Sequence, residues 1–188
     1  MTTPATDEVD ERIRTATMTV LRGHGYAALS MEGVAADAGV AKTTLYRRYR
    51  NRADLATAAM AAHAGRVPEP DPGVSTRAAV LEFLVSFATR FEMVGLDVLG
   101  SMLSEPDPEL LELHRARVVE PRSAMATELL RRGQERGELR ADADPRLAME
   151  MLVGSFFARH IAGRELAPAD WAEQAVDTLW RGLEGAGG

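Results

Sequence analysis

The residues best suited to chemistry in this sequence are basic side chains that lie close together early in the chain. Between Gly39 and Arg52 the sequence has five basic residues and no acidic one. The whole chain has a formal net charge of -6, whereas residues 1–65 contain eight basic and seven acidic side chains. A compact cationic patch on an acidic protein favours contact with a polyanion such as nucleic acid. Charge alone also allows an ordinary solvated face of an arginine-rich helix.

Two short helices are predicted to position this patch. Ser30 is a good N-cap for a helix over 31–38, and a second helix is predicted over about 41–49. Gly39 lies between them, where a tight turn needs the positive φ that glycine adopts easily. Small and apolar residues stand where the two helices would cross: Val34, Ala35, Val40 and Leu45. The pattern is typical of a helix-turn-helix, whose second helix can enter the major groove of DNA. An αα-hairpin without a role on DNA is the alternative.

The outer face of the second helix carries hydrogen-bond donors of the kinds that reach phosphates and base edges. These donors are Lys42, Thr43, Thr44, Tyr46, Arg47 and Arg48. Phosphate contacts would position the helix, while Thr43, Thr44 and one of the arginines would discriminate between bases.

The rest of the chain is also predicted to be helical, because apolar residues recur at spacings of three and four and no segment alternates with period two. Asn51 can cap a fourth helix, with Asp54 at its third position as in a capping box. Asp–Pro pairs at 107–108 and 144–145 are typical helix starts. Pro121 is expected to kink or split the helix that contains it.

A proline-rich stretch within residues 65–73 predicts a domain boundary, because three prolines in five residues cannot continue a helix. We therefore expect one domain over 7–64, which would contain the helix-turn-helix. A second domain over 74–184 would contain the longer helices. The fold class predicted from these patterns is all-α.

Composition and spacing exclude several classes of function. The chain has no cysteine, which excludes disulfides, thiol catalysis and cysteine-based metal sites. The histidines are scattered, and the sequence shows neither a phosphate loop nor a nucleophile elbow. We therefore predict no enzyme, no metal and no cofactor. With no secretory signal and no apolar stretch approaching roughly 18 residues, we expect a cytoplasmic protein without membrane contact. A helical module that binds only other proteins remains an alternative.

The run from Gly39 to Tyr49, followed by Asn51 and Arg52, resembles the signature of the TetR/AcrR family of transcriptional regulators. Residues 30–35 resemble the second helix of that family. The resemblance implies about nine helices, with an N-terminal three-helix DNA-binding domain and a C-terminal helical domain for ligand binding and dimerisation. It also implies a sequence-specific regulator, a repressor by family habit, that binds a palindromic operator in double-stranded DNA as a homodimer. An unidentified small-molecule effector would release it.

Carried over by position, the resemblance defines a DNA-binding set. Its members are Ser30, Lys42, Thr43, Thr44, Tyr46, Arg47, Arg48 and Arg52. Arg52 replaces the lysine that is usual near the start of the fourth helix, where it would bind a phosphate. Ala41 stands where serine is common, so a helix cap is lost. Thr43 stands where glycine is common, which would alter the bases that are read.

The second half of the chain offers candidates for an effector pocket and for a dimer interface. The effector set comprises Phe83, Phe87, Arg90, Met102, His114, Val118, Met125 and Phe156. The dimer set that the resemblance implies comprises Met149, Leu152, Phe156, Val176, Leu179, Trp180 and Leu183. Both sets have a plain structural alternative, because methionine stripes usually fill a core. In the same way, His114 could be an ordinary hydrogen-bonded histidine, and the dimer set could pack inside the monomer.

Overall fold

The computed structural model describes residues 4–65, 73–104 and 107–183, and their regular elements are helices. The helices are α1 (Pro4–His24), α2 (Met31–Asp37), α3 (Lys42–Arg48), α4 (Arg52–Ala64), α5 (Thr76–Val94), α6 (Leu96–Ser104), α7 (Pro108–His114), α8 (Glu120–Glu135), α9 (Pro145–Ile161) and α10 (Pro168–Leu183). A π-helical segment, Arg115–Val119, joins α7 to α8. Counted with that join, the described residues form nine helical rods, which confirms the all-α prediction. Within these ranges, no helix has the length and apolar composition needed to cross a membrane.

The predicted N-caps are confirmed by hydrogen bonds. The Ser30 hydroxyl oxygen accepts from the backbone N–H of Gly33 at 3.1 Å. The Asn51 side-chain oxygen accepts from the N–H of Asp54 at 3.0 Å. Asp107 caps α7 and Asp144 caps α9, each followed by proline at the start of the helix. These caps satisfy N–H groups that have no partner inside their own helix, and so they fix where each helix begins.

The turn between α2 and α3 has the geometry predicted for a helix-turn-helix. Gly39 has φ +64°, and its N–H donates to Ala36 O at 3.1 Å. The N–H of Val40 donates to Ala35 O at 2.9 Å, which closes the end of α2. Leu45 is fully buried beneath the turn. The left-handed glycine therefore sets the angle at which α3 leaves α2.

Gly39→Ala is expected to destabilise the fold by about 1–2 kcal/mol, because an L side chain strains a left-handed backbone. A Cβ added at Gly39 would have no described atom within 4 Å, so the cost comes from the backbone alone. Thermal unfolding measures it. Gly23→Ala is the control: that glycine lies in α1 with equally free space and no positive φ. Equal melting temperatures for the two variants would contradict the prediction.

The described residues divide into two compact units. The first takes those of Met1–Arg66 and Phe91–Glu120, and the second those of Val67–Arg90 and Pro121–Gly188. The first unit therefore includes more of the chain than residues 7–64. Most of the proline-rich stretch, residues 66–72, lies outside the described residues.

The hydrophobic core of the first unit contains two residues of the predicted effector set. The core is built from the buried faces of α1 to α4, and Met102 and Val118 belong to the same cluster. Met102 is 1% exposed, so its side chain is already enclosed by other core residues. Both residues are predicted to line a pocket because they are apolar residues that recur at helical spacing. In the structure their side chains pack in the core of the first unit.

The core of the second unit takes up most of the predicted dimer set. It contains five of the seven predicted interface residues, and they are buried within the monomer. They are Met149, Leu152, Phe156, Val176 and Trp180. The ring of Phe156 packs edge-on against Phe87 and Trp171, with centroids 5.2 Å apart in each pair. Buried side chains have no surface to offer a partner, so of that set only Leu179 and Leu183, which are half-buried, stay available.

The predicted interruption at Pro121 occurs in the turn just before it. The N–H of Glu120 donates to Arg115 O, five residues back, instead of four as in an α-helix. Proline has no N–H of its own and crowds the preceding turn, which favours such a break in the regular ladder. The widened turn carries Arg117, whose role in the first unit is described below.

Candidate DNA-binding surface

Helix α3 presents one buried and one exposed face. Leu45 is its buried residue, whereas Lys42, Thr43, Tyr46 and Arg47 are exposed. With about 100° between successive residues, Thr43 and Arg47 lie roughly opposite Leu45 on the helix. Thr44 is half-buried at the side. The structure therefore brings five of the predicted DNA-binding residues onto the outward part of a single two-turn helix.

The exposed face of α3 is tied to α2 by one hydrogen bond. Tyr46 Oη donates to Glu32 Oε1 at 2.9 Å, while the residue stays 50% exposed. This bond is the main reason that the pKa of Tyr46 is raised and that of Glu32 is lowered. In the free protein the Tyr46 hydroxyl thus donates to Glu32, so a phosphate would have to displace Glu32 to accept from it.

Arg48 has a partner within the protein, which sequence reasoning missed. Its Nε lies 2.6 Å from Asp10 Oδ1, and the pair links the end of α3 to α1. Both side chains are partly shielded from solvent. Position 48 is three residues after Leu45, only about 60° around the helix from the buried face. Arg48 therefore turns toward α1, while Arg47 points away from the protein.

The two remaining members of the predicted set stand at helix N-termini. Ser30 is exposed and uses its oxygen to cap α2. Arg52 opens α4, with its guanidinium 4.6 Å above the ring centre of Tyr26. Its Nη2 lies 3.8 Å from Asp107 Oδ2. Arg52 is thus held beside the buried Tyr26 with its charged head near the surface.

Acidic residues at the start of α7 also contact Tyr26 and Asn51, which no pattern in the sequence predicts. Tyr26 Oη donates to Asp107 Oδ2 at 2.8 Å. Burial, followed by this hydrogen bond, raises the pKa of Tyr26 to about 12. The same bond is the largest influence on Asp107 and lowers its pKa. Glu109 accepts from Asn51 Nδ2, with both carboxylate oxygens at 3.0 Å. Asp107 was predicted only as a helix cap.

Asp54 works differently from the predicted capping box. Its carboxylate accepts from the backbone N–H of Arg50 at 3.0 Å and from Arg117 Nη1 at 2.6 Å. Burial raises the pKa of Asp54, but these two donors outweigh burial and the net shift is downward. Asp54 therefore joins the α3–α4 turn to the π-helical segment as an ionised group.

Ala41→Ser is expected to stabilise the first unit by about 0.5–1 kcal/mol. Ala41 occupies the N-cap of α3 with φ -66° and ψ 141°, an extended geometry that suits a capping residue, yet no side chain caps the helix. A serine there can accept from an N–H in the first turn. Thermal unfolding would detect the gain. Ala36→Ser, the same exchange at an exposed position inside α2, is the control, and an equal response of both variants would contradict the prediction.

The structure does not bring the predicted effector set into one unit. Met102, His114 and Val118 belong to the first unit. The second unit contains Phe83, Phe87, Arg90, Met125 and Phe156. A groove of about 340 Å³ lies between α1 and α4, lined by polar residues that include Arg14, Arg22 and His63. None of the predicted effector residues lines that groove.

The buried Leu45, the left-handed Gly39 and the exposed basic face of α3 define a helix-turn-helix DNA-binding protein. A family model, "Bacterial regulatory proteins, tetR family", matches residues 13–59. A second model, "Tetracyclin repressor-like, C-terminal domain", matches residues 69–179, which is more than half of the chain. The chain belongs to the TetR family of transcriptional regulators, as the resemblance around α3 indicated.

Individual proteins show the same likeness. YdeS of Bacillus subtilis (strain 168), an uncharacterized HTH-type transcriptional regulator, is 26% identical over 185 residues, which are 96% of this chain and 92% of YdeS. NalD, the secondary repressor of the MexAB-OprM multidrug efflux pump in Pseudomonas aeruginosa, has a TM-score of 0.71 at 24% identity, covering 95% of this chain and 98% of NalD. FadR from Bacillus subtilis, in complex with stearoyl-CoA, has a TM-score of 0.72 at 17% identity, covering 90% and 96%. Both structures share the fold of this chain.

Proposed function

We propose that the protein is a repressor that binds a palindromic operator in double-stranded DNA as a homodimer and leaves it when a small-molecule effector binds. The observation that carries the proposal is the outward face of α3, where Lys42, Thr43, Tyr46 and Arg47 are exposed opposite the buried Leu45. A helix of this kind fits the major groove, where side chains can reach base edges. The proposed site of action, chromosomal DNA, places the protein in the cytoplasm.

The proposed DNA contacts divide by chemistry. Thr43, Thr44 and Arg47 would discriminate bases, since hydroxyl and guanidinium groups pair with base edges. Phosphate contacts from the other members would set the register of the helix without reading sequence. Those members are Ser30, Lys42, Tyr46, Arg48 and Arg52. Arg48 has a second task, because its ion pair with Asp10 holds α3 against α1.

We place the homodimer interface on the exposed face of α9, in place of the buried set. Leu147, Met151 and Ile161 are 53%, 52% and 89% exposed, respectively. With Gly154 and Ala158 they follow the helical spacing of three and four residues along one stripe. Exposed apolar stripes of this length mark interaction surfaces. A second copy would offer the same stripe, as a two-fold axis requires, and Leu179 and Leu183 of α10 would add to it.

We place the effector site in the second unit. The proposed site therefore leaves out Met102 and Val118, which lie in the core of the first unit. FadR from Bacillus subtilis holds stearoyl-CoA, which supports a ligand site in a protein of this fold. In the present chain Phe87 and Met125 are half-buried apolar side chains, and Arg90 is a half-buried cation. An effector can release DNA only through a difference in its affinity for the bound and free geometries.

A titration of purified protein into labelled duplex DNA at several salt concentrations tests the proposal. We expect the logarithm of the binding constant to fall linearly with the logarithm of salt concentration, because lysine and arginine side chains release counterions from phosphates. Absence of binding to any duplex at low salt would overturn the proposal. It would favour a helical module that binds protein instead.

A further inference from the structure

Two carboxylates at the start of α7 lie against the basic residues where α4 begins. We call Asp107 and Glu109 the α7 acidic pair. Both belong to the same compact unit as α3 and α4. Their charge is opposite to that of the neighbouring Arg50 and Arg52, and Arg52 is one of the residues proposed to contact DNA.

Asp107 faces Arg52. One carboxylate oxygen, Oδ1, caps α7 by accepting from the N–H groups of Glu109 and Leu110. The other oxygen, Oδ2, lies 2.8 Å from Tyr26 Oη and 3.8 Å from Arg52 Nη2. Asp107 is thus held in place by strong bonds to groups other than Arg52.

Glu109 faces Arg50 in a similar way. Its two oxygens are held by Asn51 Nδ2 at 3.0 Å. Oε1 lies 3.6 Å from Arg50 Nη2. Charge-assisted N–H···O bonds usually measure about 2.7–2.9 Å. The contacts of Glu109 with Arg50 and of Asp107 with Arg52 are longer than such a hydrogen bond. Arg50 and Arg52 also remain 66% and 46% exposed, which leaves their guanidinium groups within reach of a second anion.

We propose that the α7 acidic pair competes with DNA phosphates for Arg50 and Arg52, and so sets operator affinity below what the basic corner alone would give. A phosphate that approaches either arginine meets a fixed carboxylate on the same guanidinium. An arginine already neutralised by a carboxylate also displaces fewer counterions from DNA. The pair therefore weakens binding and flattens its dependence on salt. The inference rests on the proposed DNA-binding function.

Charge-deleting variants test the competition with little change in side-chain shape. Asp107→Asn keeps Oδ1 for the α7 cap and places an amide NH2 group beside Tyr26 Oη, which can accept from it. Glu109→Gln keeps an oxygen for Asn51. We expect each to raise duplex affinity about threefold and the two together about tenfold. The slope of log affinity against log salt should steepen by about 0.9 for each arginine released. Glu112→Gln, an exposed charge deletion on the same helix, is the matched control for net charge.

A second variant separates competition for Arg50 from a general field effect. Arg50→Gln in the Glu109→Gln background should cancel the gain of Glu109→Gln. Variants that bind with the affinity and salt slope of Glu112→Gln would overturn the inference while leaving the proposed function intact. If wild type and every variant fail to bind any duplex at low salt, the proposed function fails, and the inference fails with it.

Discussion

Arg47→Ala is expected to weaken binding to the preferred operator by about 1–3 kcal/mol, or about 5- to 150-fold. Arg47 lies on the face of α3 opposite Leu45 and is exposed, so its guanidinium is free to fork onto a guanine edge. Loss of that contact should also relax the base preference at one position of each half-site. Affinity for unrelated duplexes should change far less, because those complexes use phosphate contacts.

Arg164→Ala is the matched control for Arg47→Ala, since it removes one exposed arginine from the second unit. Both variants should be measured by titration against the operator and against a scrambled duplex. Unchanged operator affinity together with an unchanged base preference in Arg47→Ala would contradict the role assigned to Arg47. It would also shift base reading to Thr43 and Thr44.

Met151→Glu is expected to convert the proposed dimer to monomers and to lower affinity for a palindromic operator by at least about 100-fold. Met151 is half exposed in the monomer, so the substitution leaves the core of the second unit intact. In the dimer it would bury two carboxylates without partners, which costs several kcal/mol. The two half-sites would then be bound by independent monomers, and the 10²–10⁴-fold gain from linking two binding events would be lost.

Analytical ultracentrifugation and operator titration measure the two parts of the Met151→Glu prediction. Gln174→Glu adds the same charge at an exposed position of α10 and should leave both the mass and the affinity unchanged. The melting temperature of Met151→Glu should be read at low protein concentration, where dissociation contributes least. A dimeric Met151→Glu variant would contradict the placement of the interface on the exposed stripe of α9.

Short-range signals in the sequence were sufficient to predict the helix-turn-helix. Ser30, Gly39 and Asn51 act through atoms no more than three or four residues away, so their roles follow from residue type and spacing. The start of each helix after an Asp–Pro pair is predicted for the same reason. The outward face of α3 follows from the period of the helix once Leu45 is known to be buried.

The buried face of α9 could not be predicted from periodicity. Leu152 and Phe156 lie on one side of this helix, and Leu147 and Met151 lie on another. Because apolar residues occur on both sides, the pattern does not tell which side packs inside the monomer. The side of α9 that is buried depends on where α10 and the aromatic rings of the second unit lie. The sequence pattern therefore does not locate the interface, and its position on α9 stays a prediction.

Contacts between distant residues leave no pattern in a single sequence. Tyr26 and Asp107 are 81 positions apart, and Asp54 and Arg117 are 63 apart. Neither pair has a spacing that a helix or a turn would impose. The assignment of Arg48 shows the same limit, because its partner Asp10 lies in another helix, 38 positions away. The long-range ion pairs near α3 could therefore be identified only in the structure.

Selection of bound sequences from a random pool of duplex DNA, with the purified full chain, tests whether the protein recognises a palindromic operator as a dimer. We expect enrichment of a palindrome with two half-sites, whose separation matches the recognition helices of a two-fold dimer in successive major grooves. Guanine at a fixed position in each half-site would fit the role of Arg47. Recovery of no enriched sequence at low salt, from protein shown to be folded and free of bound ligand, would contradict the proposed DNA-binding function.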